Sequence, residues 1–156
     1  MLLALGADHA GFALKQVISN FVQELGHEVV DLGTNNATTS VDYPDFGAAV
    51  GRAVAAKQAD LGILVCGSGI GIAIAANKIH GVRAATVTDV TSARLCREHN
   101  HANVVCFGAR LTGEQTVLDA VAAYLSATPG DERHGRRVAK LADLEQESVT
   151  NEENQQ

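Results

Sequence analysis

The sequence predicts an α/β fold, a three-layer doubly wound sandwich built around a five-stranded parallel sheet. The main observation is that short, uninterrupted apolar runs alternate with longer amphipathic segments almost to the end of the chain. Strands that are apolar on both faces are typical of a parallel sheet covered by helices on both sides. A length of 156 residues, 46% of them hydrophobic, is enough for one domain with its own core.

The first half of the chain contains two predicted strands and two predicted helices. The apolar run 2–5 predicts a buried strand that ends in a glycine-containing turn. The segment 12–25 has its apolar residues on one helical face, and Gly26 gives it a C-terminal stop. A second strand over 28–32 leads into a polar loop, and a helix then extends over 44–57.

The second half repeats this alternation and supplies the remaining three strands. After the fully apolar strand 61–66 come glycine-rich and alanine-rich residues that predict a helix ending near residue 79. The later elements are, in order, a strand at 82–88, a charged helix at 90–99, a strand at 103–107, and helices at 112–126 and 131–147. Right-handed crossovers between such strands give a Rossmann-like arrangement. We therefore expect one domain over residues 1–147, followed by a polar, acidic and disordered tail over 148–156.

The net charge of −6 arises from 12 basic and 18 acidic residues, and it is concentrated near the end of the chain. Residues 141–156 contain five acids and no lysine or arginine, so the body of the chain is close to neutral. A near-neutral body gives no support to nucleic-acid binding through bulk charge. No apolar run approaches the roughly 20 residues of a membrane span, so we expect no membrane partner.

The three cysteines, Cys66, Cys96 and Cys106, all lie within apolar or helical segments. Their odd number favours free thiols in a reducing compartment over a disulfide framework. The first residues lack the basic and long apolar regions of a secretory signal. We therefore expect a cytoplasmic protein.

The strongest local signal for chemistry is the segment Cys66–Gly71, with the sequence Cys-Gly-Ser-Gly-Ile-Gly. It places a thiol at the end of a buried strand and backbone N–H groups at the start of a helix, where they favour a thiolate or an oxyanion. Two other interpretations remain open: a tight turn without chemistry, and a dinucleotide-binding loop. The dinucleotide fingerprint requires glycine at its sixth position, which is Ile72 here, although Asp89 lies at about the distance of a ribose-binding acid.

Three further groups of polar residues follow predicted strands or lie on predicted helices. Asp8 and His9, after the first strand, could handle protons or contact a phosphate, and Asp8 could instead cap the next helix. Cys96 and His99 share a helix face and allow three hypotheses: a metal site, acid–base chemistry, or no chemistry. Arg133, Arg137 and their basic neighbours could bind a phosphate or form an ordinary solvated face.

Taken together, these residues resemble the type B ribose-5-phosphate isomerase family, which also includes galactose-6-phosphate isomerase subunits. The matching motifs occur in family order over residues 1–145. They are Gly6-x-Asp8-His9-x-Gly11, Asp42-Tyr-Pro44, Cys66-Gly-Ser-Gly-Ile-Gly-Ile72, Ala75-Ala-Asn-Lys78, His99-Asn100, Asn103-Val, Phe107-Gly-x-Arg110 and Arg133-His-x-x-Arg137-Val.

The resemblance implies interconversion of ribose 5-phosphate and ribulose 5-phosphate through an enediolate, with no metal or other cofactor. It implies that Cys66 is the base, that Ser68 and the amides from Gly67 to Gly71 hold the developing oxyanion, and that His99 opens the sugar ring opposite Asp8. The remaining substrate-binding residues it implies are Asp8, His9, Tyr43, Gly67, Gly69, Ile70, Gly71, Asn100, Arg110, Arg133 and Arg137. Family members are similar in forming dimers whose sites use both chains, so the resemblance implies a homodimer, or a dimer of dimers, in which His99 and Arg110 serve the neighbour's Cys66.

Three alternatives remain: an isomerase of another sugar phosphate (allose, galactose or tetrose phosphate), a non-catalytic phosphate-ligand module, and a dinucleotide-binding module.

Overall fold

A five-stranded parallel sheet forms the centre of the molecule. The computed structural model describes residues 1–153, with side chains described as far as Glu147. The strands are β1 (Leu2–Ala7), β2 (Glu28–Asp31), β3 (Leu61–Cys66), β4 (Ala84–Thr86) and β5 (Val104–Gly108). The helices are α1 (Phe12–Glu24), α2 (Tyr43–Ala55), α3 (Ile70–Ala76), α4 (Val90–Asn100), α5 (Glu114–Ser126) and α6 (Glu132–Glu153).

The strands lie in the order β2-β1-β3-β5-β4, and every neighbouring pair is parallel. The chain leaves β1 toward one side to form β2 and returns on the other side of β1 to form β3. Ala7 pairs with Val65, and Cys66 pairs with Gly108, so β1, β3 and β5 end at the same edge of the sheet. Open α/β sheets bind ligands at such a reversal, beyond the carboxyl ends of the strands.

Helices cover both faces of the sheet and give two separate apolar layers. Leu3 and Leu5 of β1 pack with α1, α4 and α5, whereas Ala4 between them packs with α2 and α3. This alternation follows from the opposite directions of successive side chains in a strand. The predicted three-layer, doubly wound, Rossmann-like class is therefore confirmed.

The edge strand β4 is shorter than the predicted strand at 82–88. The side chain of Asn77 donates to the carbonyl of Ala84 at 2.8 Å and accepts from its N–H at 2.8 Å. These bonds satisfy backbone groups of β4 that a further strand would otherwise pair. Such protection of a short edge strand is a common device in natural sheets.

The last helix, α6, packs on α4 outside the sandwich, and most of its described side chains are exposed. Near its end, Glu145 accepts from the N–H of Gly81 at 3.2 Å. The helix continues to Glu153, past its predicted end at residue 147. The predicted tail falls on residues 148–156, whose side chains lie outside the described part of the chain, so its disorder stays a prediction. Within the described residues, no helix has the length and apolar character needed to cross a bilayer.

Candidate active site

A cavity of about 370 Å³ lies beyond the carboxyl ends of β1, β3 and β5. Its walls combine the loops that follow these three strands with the first turn of α2. The lining residues are Asp8, His9, Ala10, Tyr43, Cys66, Gly67, Ser68, Gly71, Arg110 and Leu111. Most of the predicted site residues are therefore brought together by one edge of the sheet.

Cys66 is the last residue of β3, and only 4% of its surface is exposed. The N–H of Gly69 donates to its Sγ at 3.1 Å. Gly69 reaches this position with a φ of +76°, and a Cβ there would lie 2.8 Å from the carbonyl carbon of Phe107. Only glycine suits such a backbone, so the loop sequence itself directs an N–H donor at the sulfur.

The position of Gly69 is also held from the neighbouring edge strand. The hydroxyl of Thr86 in β4 donates to the carbonyl of Gly69 at 3.0 Å. This bond holds the peptide group that follows Gly69, next to the N–H that donates to Cys66. The loop is thus held in place before any ligand binds.

Ser68 lies beside Cys66 and points its hydroxyl at the start of α3. The N–H of Ile70 donates to Ser68 Oγ at 3.3 Å. Because the oxygen accepts this bond, its own hydrogen remains available for donation to a ligand. The Tyr43 ring packs against Gly71, since a Cβ on this glycine would approach the ring to 2.6 Å.

Asp8 and His9 follow β1 and form the opposite wall. Asp8 is buried, and its Oδ1 accepts from the N–H of Gly11 at 3.0 Å. This bond caps the turn that leads into α1, so Asp8 acts as a cap one turn before the helix proper, whose own N-cap is Gly11. The N–H of Val41 donates to His9 Nδ1 at 3.2 Å, which leaves Nε2 as the ring nitrogen available to a ligand.

Arg110 completes the cavity from the loop after β5. Its backbone N–H donates to the carbonyl of Gly67 at 3.1 Å. Its guanidinium lies over the same glycine, since a Cβ there would be 3.5 Å from Nη1. The resemblance implies that Arg110 serves the neighbour's site. In the single chain, Arg110 instead lines the cavity of its own Cys66.

A second group of predicted residues does not line this cavity. The rings of His99 on α4 and His134 on α6 stack in parallel, with centroids 4.2 Å apart and planes 7° from each other. Burial lowers the pKa of His134, and the neighbouring His99, Arg133 and Arg137 lower it further. We call His99, Arg133, His134 and Arg137 the basic cluster. Asn100, the next residue after His99, lines a separate cavity of about 260 Å³ beside Arg83.

The structure gives Asp89 and Cys96 roles other than ligand binding. Asp89 caps α4 by accepting from the N–H of Ser92 at 2.8 Å, and this bond is the main cause of its lowered pKa. The Cys96 thiol donates to the carbonyl of Ala93 at 3.1 Å, and burial raises its pKa to about 11. Asp89 is therefore engaged as a helix cap, which removes the main support for the dinucleotide-binding hypothesis. The metal hypothesis is weakened too, because a protonated thiol such as Cys96 is a poor metal ligand. Among the described residues, no group of three or more His, Cys, Asp or Glu could hold a metal ion.

Sequence reasoning missed four residues that belong to these two regions. Ala10 and Leu111 line the cavity, Thr86 holds the carbonyl of Gly69, and His134 stacks on His99. Leu111 carries a usable signal, because an apolar residue in a loop directly after a predicted ligand often lines a site. Thr86 and His134 act through partners distant in sequence, so local pattern gives no signal for them.

This chain is similar to known proteins over most of its length. The family model described as Ribose/Galactose Isomerase matches residues 3–141. Ribose-5-phosphate isomerase B of Escherichia coli (strain K12) is 43% identical over 144 residues, covering 92% of this chain and 96% of that protein. A galactose-6-phosphate isomerase subunit of Clostridium acetobutylicum is 37% identical over 92% of this chain and 82% of its own length.

Solved structures give the same result. Ribose-5-phosphate isomerase B from Clostridium thermocellum superposes with a TM-score of 0.93 at 44% identity, covering 95% of this chain and 99% of that one. The enzyme from Mycoplasma genitalium with bound ribulose-5-phosphate gives a TM-score of 0.89 at 39% identity, covering 94% and 97%. A shared fold, a family match over most of the chain and this degree of identity lead to one conclusion: the chain belongs to the ribose/galactose isomerase family, a family of sugar-phosphate isomerases.

Proposed function

We propose that this protein interconverts ribose 5-phosphate and ribulose 5-phosphate through an enediolate, with Cys66 as the base. The observation that carries the proposal is the contact between Cys66 and the glycine loop. A sulfur with a backbone N–H donor at 3.1 Å opens onto a cavity that also contains an imidazole and a guanidinium. The relatives named above act on ribose 5-phosphate or galactose 6-phosphate by their names, which supports the same chemistry here.

In the aldose-to-ketose direction, the Cys66 thiolate removes the proton from C2 and becomes a thiol. The electron pair of the broken C–H bond forms the C1–C2 double bond, and negative charge develops on O1. The thiol then returns the proton to C1, the O2 hydroxyl gives up its proton as the C2 carbonyl forms, and O1 gains a proton to become a hydroxyl. A proton next to a carbonyl is weakly acidic, so a correctly placed base must act together with a stabilised oxyanion.

The developing oxyanion is assigned to Ser68 and the amides of the glycine loop. Support comes from the bond in which Ser68 Oγ accepts from Ile70, because it leaves the hydroxyl hydrogen for the substrate oxygen. The loop amides belong to a backbone fixed by Thr86 and by the positive φ of Gly69. Donors that are already oriented need no reorganisation when charge appears.

The phosphate is assigned to His9 and Arg110 in the cavity, with Arg133 and Arg137 as further ligands. His9 Nε2 and the Arg110 guanidinium are both donors, and guanidinium groups match phosphate oxygens in pairs. Holding the phosphate far from the reacting carbons orients the sugar over Cys66. Tyr43 and Asn100 are assigned to the sugar itself, and His99 to ring opening opposite Asp8.

We further infer a homodimer in which the basic cluster of one chain completes the cavity of its partner. Two features support it: the basic cluster does not line its own chain's cavity, and exposed apolar side chains occur in the cavity wall and on the adjoining helix α3. Leu111 is 65% exposed, Ile70 54% and Ile74 55%. Apolar side chains grouped in this way are typical of a surface that another protein covers. The three free cysteines agree with a reducing, cytoplasmic compartment.

A substrate panel tests the proposal. Purified protein is assayed with aldose phosphates of four, five and six carbons, including ribose, galactose and allose phosphates, and with Cys66→Ala protein as the blank. We expect the highest kcat/KM with ribose 5-phosphate. A higher value with a tetrose or hexose phosphate would transfer the assignment to that sugar. Turnover of none of them, together with calorimetric binding of NAD or ATP, would favour the non-catalytic module instead.

A further inference from the structure

Lys15 on α1 is a charged residue in an unusual position, because only 1% of its surface is exposed. Its Nζ donates to Asp31 Oδ1 at 2.7 Å, to Asp31 Oδ2 at 2.6 Å and to the carbonyl of Thr34 at 2.8 Å. These bonds use all three ammonium donors. A buried charge is costly unless it is fully paired, so an apolar residue would serve mere packing better.

The partners of Lys15 hold the beginning of the loop between β2 and α2. Asp31 Oδ1 also accepts from the N–H of Gly33 at 2.9 Å. The N–H of Thr34 donates to the carbonyl of Ala7 at 2.9 Å. Gly33 lies so close to β1 that a Cβ would be 2.5 Å from the nitrogen of Ala7 and 3.0 Å from Lys15 Cδ. The loop is therefore clamped to the last residue of β1, directly before Asp8 and His9.

The end of the same loop contacts His9. The N–H of Val41 donates to His9 Nδ1 at 3.2 Å. Between the two contacts, Asn36 Oδ1 accepts from the N–H groups of Thr38 and Thr39 at 3.1 and 2.8 Å, which closes a turn within the loop. The loop is thus held at residue 34, braced by this turn, and in contact with His9 at residue 41.

We propose that Lys15 is a positioning residue for His9. By fixing the loop over residues 33–41, Lys15 keeps the Val41 N–H on His9 Nδ1, so that the neutral ring carries its proton on Nε2 and presents a donor to the cavity. The Lys15 ammonium suits this place because its three donors satisfy both carboxylate oxygens and the Thr34 carbonyl. The consequence for substrate binding rests on the proposed function, in which His9 contacts the phosphate.

The test combines kinetics with NMR of the His9 ring. Lys15→Met removes the ammonium and keeps the shape of the side chain. We expect KM for ribose 5-phosphate to rise about two- to tenfold, the loss of one ordinary hydrogen bond, with kcat nearly unchanged. In ¹⁵N-histidine-labelled protein without substrate, the wild-type His9 ring should be the Nε2–H tautomer, and Lys15→Met should show exchange between both tautomers. The His9→Gln spectrum assigns the His9 signals.

Val22→Ala is the matched control for general destabilisation. Val22 is fully buried on the same helix, and it packs in the apolar layer of α1 without a bond to the loop. This variant should unfold more easily but keep the wild-type KM and His9 tautomer. Asp31→Asn is the milder second variant, since it keeps an oxygen acceptor for Lys15. It should show the same changes to a smaller extent and remains usable if Lys15→Met does not fold.

An unchanged His9 tautomer in both Lys15→Met and Asp31→Asn would overturn the proposal, as would a Val22→Ala variant with the same spectral change. The NMR measurement needs no turnover. If the wild-type protein does not isomerise ribose 5-phosphate, the proposed function fails while the link between Lys15 and His9 is still tested.

Discussion

The cavity around Cys66 and the basic cluster differ in how the chain builds them. In the cavity, hydrogen bonds to backbone N–H groups hold the buried side chains of Cys66 and Asp8 at the strand ends. The basic cluster is made from long side chains on α4 and α6, and Arg133 is 65% exposed there. Charged groups in water bind an anion weakly until something excludes the water. The cavity half of the site is therefore held in place within the single chain, whereas the arginines of the other half, the basic cluster, are exposed to solvent.

The largest expected loss of activity comes from a substitution in the cavity half, at Cys66. Cys66→Ala should lower kcat by about 10²–10⁴, the usual contribution of a positioned base, because it removes the thiol that the glycine loop holds in place. Circular dichroism and thermal unfolding should stay close to wild type. Cys96→Ala is the matched control, since this buried thiol bonds only to its own helix and should leave kcat unchanged. Near-normal turnover by Cys66→Ala would remove the thiol from the mechanism.

Mixing inactive variants tests whether the two halves come from different chains. Cys66→Ala and His99→Ala chains are unfolded, mixed and refolded together. In a mixed dimer with shared sites, both substitutions fall in one site and the other site is intact. Random pairing should therefore restore about a quarter of full activity.

The control mixture is His99→Ala with Arg137→Ala, assayed at substrate concentrations far below KM; both changes lie in the basic cluster, so its activity should not exceed the mean of the two variants alone. If mixed dimers of the first pair form but stay inactive, each chain carries its own complete site. That result would mean that the basic cluster does not complete the partner's cavity.

A smaller effect is expected from single arginines of the basic cluster. Arg137→Ala should raise KM about 10- to 100-fold with a lesser change in kcat, because a charge-assisted hydrogen bond contributes about 1.5–3 kcal/mol. Arg136, one residue away on the same helix, is the matched control, and Arg136→Ala should leave KM within about twofold. Equal KM changes in the two variants would mean that general charge, rather than a specific contact, attracts the phosphate.

The smallest effect concerns pH and the stacked histidines. Folding lowers the pKa of His134 below its ordinary value of 6.5, chiefly through burial. The unfolded chain therefore binds a proton that the folded chain does not, in the range between the lowered pKa and 6.5. The His134 contribution to stability is fully present above pH 6.5 and decreases as the pH falls below it.

Urea unfolding at fixed protein concentration, between pH 5 and 8, measures this contribution. His134→Phe keeps an aromatic ring against His99 but cannot titrate, so its stability should fall less on acidification. Identical slopes for the two proteins would show that the stack does not resist protonation.

Local sequence patterns predict some parts of the site. Cys66 follows a fully apolar strand, and glycines after a strand end predict backbone N–H groups turned toward a ligand. The place of Asp8 and His9 directly after an apolar strand predicts them in the same way. Asp89 was open to a wrong interpretation because its spacing fits a ribose-binding acid, whereas its real partner is the N–H three residues later. A capping carboxylate and a ligand-binding carboxylate look alike in sequence, since both follow a strand and precede a helix.

The α/β class, the five parallel strands and the residues at the strand ends can all be predicted from local sequence, because apolar periodicity and glycine placement are local properties. Only the tertiary structure decided that β5 lies between β3 and β4, so that Arg110 reaches Gly67. It likewise decided that His134 stacks on His99, and that Lys15 is connected to His9 through a loop. These relations depend on hydrogen bonds and packing between residues far apart in the chain, and the energies of such contacts leave no periodic trace in the sequence.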